Sequence, residues 1–225
     1  MGMTSAFDLP PVYPITDKAL ASKSSHLSIL RELFRGGARL VQIRDKDTPV
    51  RQLLADLLRC ADFCWKHGIL MIVNDRCDLA LSAGAAGVHL GQEDLPALSA
   101  RKLLGPEGII GYSTHSLAQI RAAYTLPVQY VGFGPVYATS TKKQASPVVG
   151  LSRLRQACRG THLPVVAIGG IGLKQIPAVL QAGAASAAVI SSLMHSGNIA
   201  KTMERMLAAA TAKAGSENRR GRSRG

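Results

Sequence analysis

Two aspartates, Asp75 and Asp94, each stand just past a short apolar run in the stretch from Val73 to Pro96, VNDRCDLALSAGAAGVHLGQEDLP. Parallel strands that alternate with helices present all their C-terminal ends on one face, and that face holds the site. Two carboxylates delivered there, in a chain with a large positive excess, point to a divalent cation rather than a surface ion pair. Hard oxygen ligands, with phosphate oxygens completing the shell, are how Mg2+ is held. The run VQIRDK brings Gln42, Arg44 and Lys46 at alternating positions, two of them cationic, and Asn74 precedes Asp75. Ser113, followed by Thr114 and His115, closes a later apolar run, and Thr139, Ser140, Thr141, Lys142 and Lys143 crowd a long connection. Arg44, Lys46 and Lys142 beside two aspartates suit a Mg2+-bound diphosphate.

A second anion site is expected opposite. Gly169-Gly170 and Ile190-Ser191-Ser192 each follow an apolar run. Glycines and small hydroxyl residues after the seventh and eighth strands form the common barrel phosphate site, where backbone N–H groups and a short helix N-terminus hold the anion. Two anion sites on one mouth imply two phosphorylated substrates, or one long bisphosphate. Plainer readings compete with each residue taken singly. Asp75 and Asp94 are both placed to cap the helices that follow them, and Arg44 and Lys46 could be surface charges at a strand end. Joint placement on one face favours the site reading. His89 sits inside the strand VHL and reads as a core residue; His115 could line the site, and His26, His67, His162 and His195 carry no signal. No G-x-S-x-G and no Cys–His partnership appears, which argues against acyl chemistry.

The elements that must position these residues are a repeated alternation of short β-rich runs and longer amphipathic ones. The runs are Val12–Thr16, Leu40–Arg44, Leu70–Asn74, Gly87–Leu90, Ile109–Ser113, Tyr130–Phe133, Val165–Ile168 and Ala187–Ile190. Between and after them lie helical segments at His26–Arg35, Pro49–His67, Arg76–Ala83, Leu95–Leu104, Leu117–Leu126, Gly150–Arg159, Leu173–Gln181 and Asn198–Ala212. Eight strands, each followed by a helix, is the count of an α/β (β/α)8 TIM barrel in a single domain. A doubly wound open sheet is the alternative, disfavoured because no G-x-G-x-x-G follows an early strand. Residues 1–11 read as an N-terminal extension, 12–212 as the barrel and 213–225 as a disordered basic tail. The connection from Gly134 to Val149 is long for a compact domain, and such loops are usually functional.

The 225 residues carry 27 Lys and Arg against 14 Asp and Glu, a net charge of +13 that suits polyanionic small substrates. Part of the excess lies in the tail SENRRGRSRG, whose low complexity predicts a solvated terminus rather than a nucleic-acid contact. No apolar run approaches the ~20 residues of a membrane helix, and the start of the chain has neither the basic nor the apolar region of a secretory leader. Cys60, Cys64 and His67 share a helix face, but small apolar packing is the better reading than a metal site. Nothing in the four cysteines suggests a disulfide, and a reducing cytoplasm is the expected location. A homo-oligomer is left open.

In order and spacing, VQIRDKD, IVNDRCDLA, GVHLGQEDLP, IGYSTH, YVGFGPVYATSTKK, PVVAIGGI and AAVISSL resemble the thiamine phosphate synthase family over roughly Val12 to Leu207. That family joins hydroxymethylpyrimidine diphosphate to thiazole ethyl phosphate, giving thiamine phosphate and diphosphate. The resemblance implies that Gln42, Ile43, Arg44, Asp45, Lys46 and Asn74 contact the pyrimidine diphosphate, with Arg44 and Lys46 on its phosphates. It further implies Mg2+ on Asp75 and Asp94, Ser113 at the pyrimidine and Lys142 on the diphosphate. Thr139, Ser140, Thr141, Gly170, Ile190 and Ser191 would hold the thiazole phosphate. Arg44, Lys46 and Lys142 are the implied catalytic residues. The implied chemistry needs no general base, because the thiazole nitrogen brings its own lone pair.

Two other readings compete. Thiazole tautomerase-like relatives carry a histidine where this chain has Pro135, and a proline can be neither acid nor base. A non-catalytic phospholigand or nucleic-acid binder would be expected to have lost the aspartates or the loop threonines, and both are kept.

Overall fold

A computed structural model describes residues 8–23, 25–139 and 147–211 of the chain. Eight parallel strands close into a barrel in sequence order: β1 (Val12–Thr16), β2 (Leu40–Ile43), β3 (Leu70–Asn74), β4 (Gly87–Leu90), β5 (Ile109–Thr114), β6 (Tyr130–Phe133), β7 (Val165–Ala167) and β8 (Ser186–Val189). β8 pairs with β1, so no edge strand is left. Around the barrel run α1 (Lys18–Ala21), α2 (His26–Arg35), α3 (Val50–His67), α4 (Cys77–Ala83), α5 (Ala97–Leu104), α6 (Leu117–Ala122), α7 (Gly150–Arg159), α8 (Ile176–Gln181), α9 (Ser191–Met194) and α10 (Ile199–Thr211). The (β/α)8 expectation therefore holds, and no helix among the described residues is long and apolar enough to cross a membrane.

Every strand obeys period two, and that alternation builds two separate cores. Val12, Val41, Ile43, Met71, Val73, Val88, Leu90, Val131 and Phe133 face outward into the layer shared with the helices. Tyr13, Ile15, Leu40, Ile72, Tyr130, Val166 and Ala188 face inward and fill the barrel. The helices supply the matching apolar stripe at i, i+3, i+4 and i+7, as in His26, Ile29, Leu30 and Leu33 of α2. Burying such a leucine or isoleucine contributes about 1.5–3 kcal/mol. Cys60 and Cys64 lie in this outer core on α3, and burial pushes the Cys64 thiol up to about 12. His67 stacks on Phe63 rather than joining them.

Boundaries differ from the sequence expectation by a residue or a turn. β2 ends at Ile43, β7 at Ala167, and β8 runs one residue earlier, while β5 extends to Thr114. Helix α8 starts at Ile176 instead of Leu173, because Gly172 to Gln175 form a turn in which the Gln175 side chain accepts the Gly172 N–H at 3.2 Å. Two four-residue helices, α1 and α9, were not expected, since so few residues carry no readable period. Gly84 ends α4 in the left-handed conformation, φ +66°, where a side chain would be strained.

Candidate active site

The C-terminal ends of the strands surround a cavity of about 520 Å3. Because side chains alternate, Gln42 and Arg44 project into it while Ile43 does not. Ile43 is buried in the outer core. Asp45 also turns away from the cavity. Its carboxylate accepts from Lys18 Nζ at 2.9 Å, His26 Nε2 at 3.0 Å and the Thr48 hydroxyl at 2.8 Å. Burial opposes its ionisation, but the Thr48 N–H, Lys18 and the other donors hold its pKa well below the usual carboxylate range. Of the sequence-implied contacts in this run, Ile43 and Asp45 are thus not brought to the cavity. Asp45 instead fixes the loop that carries Arg44 and Lys46.

One wall of the cavity is charged. The Arg44 guanidinium is oriented by Asp17, with Nη1 to Oδ2 at 3.0 Å, and Lys46 Nζ lies 3.2 Å from Asp75 Oδ2. Asp75 sits at φ +61°, a left-handed conformation that costs an ordinary L-residue roughly 1–2 kcal/mol. Its N–H donates to the His89 carbonyl at 2.8 Å, and the Arg76 N–H donates back to the Asn74 carbonyl at 2.7 Å. That tight reversal aims the carboxylate at the mouth and not at α4, whose N-terminus has no side-chain cap. Asp94 does not cap α5 either. Its Oδ2 accepts the Gly91 N–H at 2.6 Å and closes its own turn. Capping therefore explains neither aspartate.

The Asp75 carboxylate is close enough to oppose ionisation of Asp94. Burial raises the Asp94 pKa, the Gly91 N–H works against this, and the Asp75 charge and a hydrogen bond to it raise it further. Like charges crowded in this way favour a proton or a cation between them. Among the described residues no group of three or more His, Cys, Asp or Glu could hold a metal, so any ion here would take its remaining ligands from substrate or water.

The facing wall is built from backbone. Gly169 and Gly170 follow β7 with φ +98° and +62°, and a Cβ on Gly170 would stand 2.4 Å from the Ala138 carbonyl oxygen. Only glycine lets these two strand-end loops approach so closely. Ile190 and Ser191 line the same side, where α9 begins, and the Ser192 hydroxyl ties the two loops by donating to the Ile171 carbonyl at 2.9 Å. Thr139 and Pro135 also line the cavity. Ser140, Thr141 and Lys142 lie outside the described residues.

In the floor, Tyr13 and Tyr130, which no local sequence pattern marks, link Gln42, His89 and Ser113. Gln42 Nε2 donates to the Tyr13 hydroxyl at 3.2 Å, which meets the Tyr130 hydroxyl at 2.9 Å. Tyr130 meets His89 Nδ1 at 3.1 Å, and His89 Nε2 meets Ser113 Oγ at 2.9 Å. Burial lowers the His89 pKa to about 4, so the ring is neutral at physiological pH. His89 was read as a core residue; it is buried, and it also lines the cavity. Its signal was present in VHL, where two outward aliphatics flank an inward histidine. His115 lines the rim, and its Nδ1–H donates to the Gly134 carbonyl at 2.7 Å. Gln92, also unread, lines the cavity and donates to the Ser113 carbonyl.

Comparisons with known proteins identify the family. A family model described as thiamine monophosphate synthase matches residues 12–193. The thiamine-phosphate synthase of Myxococcus xanthus is 43% identical over 197 residues, covering 88% of this chain and 90% of the relative. That of Albidiferax ferrireducens is 43% identical over 182 residues, covering 81% and 83%. Among solved structures, thiamine phosphate pyrophosphorylase from Pyrococcus furiosus superimposes with a TM-score of 0.82 at 33% identity, over 90% of this chain and 96% of that one. With a family match spanning most of the barrel and relatives of this similarity along nearly their whole length, the chain belongs to the thiamine monophosphate synthase family of transferases.

Proposed function

We propose that the protein couples hydroxymethylpyrimidine diphosphate with thiazole ethyl phosphate to form thiamine phosphate and diphosphate. The observation that carries this reading is the division of the mouth. Lys46 and the crowded Asp75–Asp94 pair stand on one wall, and the Gly169–Gly170 turn, where a Cβ would meet backbone, stands on the other. The first wall suits a diphosphate and the second a monophosphate ester.

The donor set fits Mg2+: two carboxylates, with the Asp94 pKa raised by burial and further by the Asp75 charge, leave room for phosphate oxygens and water. When bound at Asp75 and Asp94, Mg2+ supplies positive charge to the leaving diphosphate. Arg44 and Lys46 add fixed charge to the same oxygens, and Lys142 would complete the clamp. In the reaction, the bond between the pyrimidine methylene carbon and the diphosphate oxygen breaks, and the electron pair leaves with the diphosphate. The amino group on the ring donates electron density to the carbocation that remains. The thiazole nitrogen then uses its own lone pair to form the new C–N bond, so no proton is transferred. The coupling therefore calls for no nucleophile–base pair. The protein's work is to neutralise a leaving group and to hold two rings in line.

Gln42, Asn74 and Ser113 line the space where the pyrimidine would lie. Thr139, Gly170, Ile190 and Ser191, together with Ser140 and Thr141, would hold the thiazole phosphate. The experiment is a coupling assay with both substrates and Mg2+, scored for thiamine phosphate and diphosphate in equal amounts, with each substrate omitted in turn. Diphosphate released without thiamine phosphate would sink the reading.

A further inference from the structure

The polar chain under the cavity is anchored at one end by a donor of fixed direction. An amide N–H can only donate, so Gln42 Nε2 fixes the Tyr13 oxygen as an acceptor, at 3.2 Å. Either phenol can donate across the 2.9 Å Tyr13–Tyr130 contact; with the Tyr13 proton on the Tyr130 oxygen, the Tyr130 proton goes to His89 Nδ1 at 3.1 Å. A neutral imidazole that accepts at Nδ1 carries its proton at Nε2, which lies 2.9 Å from Ser113 Oγ. With Oγ accepting from His89, the Ser113 hydroxyl proton is left to point into the cavity that Ser113 lines.

We propose that His89 is a positioning residue: through its Nε2–H it fixes the Ser113 hydroxyl as a donor, so that the ring bound above it must offer a nitrogen lone pair. This rests on the reading that a heteroaromatic substrate occupies the cavity. An aminopyrimidine meets the requirement, because its ring nitrogens accept, whereas a pyrimidinone that carries N–H at the facing position does not. The relay has dedicated space. A Cβ on Gly111 would stand 2.1 Å from the Tyr130 ring and 2.5 Å from His89 Nδ1, and one on Gly132 would press the His89 ring at 3.3 Å. Two strands therefore give up side chains to let the imidazole and the phenol meet.

Nitrogen-15 NMR of the unaltered full chain tests the relay directly. We expect His89 to be protonated at Nε2 and bare at Nδ1; a ring protonated at Nδ1 would overturn the proposal. The kinetic arm uses His89→Phe, Ser113→Ala and the double variant. Each single change should raise the KM of the pyrimidine diphosphate roughly 10-fold, the scale of one lost neutral hydrogen bond, and leave that of the thiazole phosphate unmoved. The double variant should be no worse than the worse single one. Losses that multiply, or that fall equally on both substrates, would show a merely structural role. If the unaltered protein makes no thiamine phosphate, the functional reading fails, and the tautomer measurement still decides the relay.

Discussion

Asp75 and Asp94 show how a single backbone angle turns a common residue into a site residue. A left-handed φ of +61° is tolerated by Asp and Asn far better than by branched side chains, and here it directs a carboxylate toward its neighbour. The Asp94 pKa is raised in the folded protein, so its charge is least stable where it is fully ionised. The sign follows from linkage: a carboxyl whose folded pKa exceeds its unfolded value opposes folding more as pH rises through that folded value. In metal-free buffer at neutral pH, Asp94→Asn should therefore melt at or above the temperature of the unaltered protein, and the difference should fade on acidification. Millimolar Mg2+ should raise the melting temperature of the unaltered protein but not of Asp94→Asn. Thermal melts at two pH values, with and without Mg2+, read both effects. The aspartates were legible because each follows shortly after an apolar run. The floor network was not, because Tyr13 and Tyr130 meet across 117 residues of sequence and no local spacing announces the pair.

At the scale of elements, alternation along β2 was readable in VQIRDK, and it correctly divides Gln42 and Arg44 from Ile43. What alternation could not give is the fate of Asp45, which clamps the β2–α3 loop through Lys18, His26 and Thr48. His26 is fully buried; its ring spans from Asp45 to the Thr16 hydroxyl, and that hydroxyl in turn accepts the Arg44 N–H at 3.3 Å. Asp45→Ala should cost about 1–3 kcal/mol of stability, the penalty for buried donors left unpaired, and should also lower turnover by freeing Arg44 and Lys46. Because the folded Asp45 pKa is depressed, its stabilisation is present above the unfolded value and is lost only as pH falls through the folded one. Urea unfolding from pH 7 downward should show the gap between the two proteins persisting until strongly acid conditions. The glycine turn after β7 makes a different test. A side chain at Gly170 meets the backbone at Ala138 and Tyr137, so Gly170→Ala should displace that segment. We expect it to raise the KM of the thiazole phosphate, with less effect on that of the pyrimidine diphosphate, in steady-state assays varying one substrate at a time.

The whole molecule follows from closure. Eight short strands, most no longer than five residues, make a barrel whose sequential pairing leaves no edge and gathers all the strand ends on one rim. That count was readable because each strand is an apolar run set off by turn residues, while α1 and α9 are too short to show a period. The long β6–α7 connection is expected from its length to be functional, and Ser140, Thr141 and Lys142 within it lie outside the described residues. The positive excess is shared between the barrel and the arginine-rich C-terminal run, which lies outside the described residues. Since Arg219, Arg220, Arg222 and Arg224 lie beyond α10 and the barrel mouth is built from strand ends, deleting residues after Gly215 should leave kcat and both KM values unchanged.

The most direct test of the account is the rate of thiamine phosphate formation from the two substrates across a Mg2+ titration, for the unaltered protein and for Asp94→Asn. The account predicts saturable dependence on Mg2+ for the first and a loss of about 10²-fold for the second, the scale of lost charge stabilisation at a leaving group. No thiamine phosphate from the unaltered protein, or equal rates for the two proteins at limiting Mg2+, would contradict it.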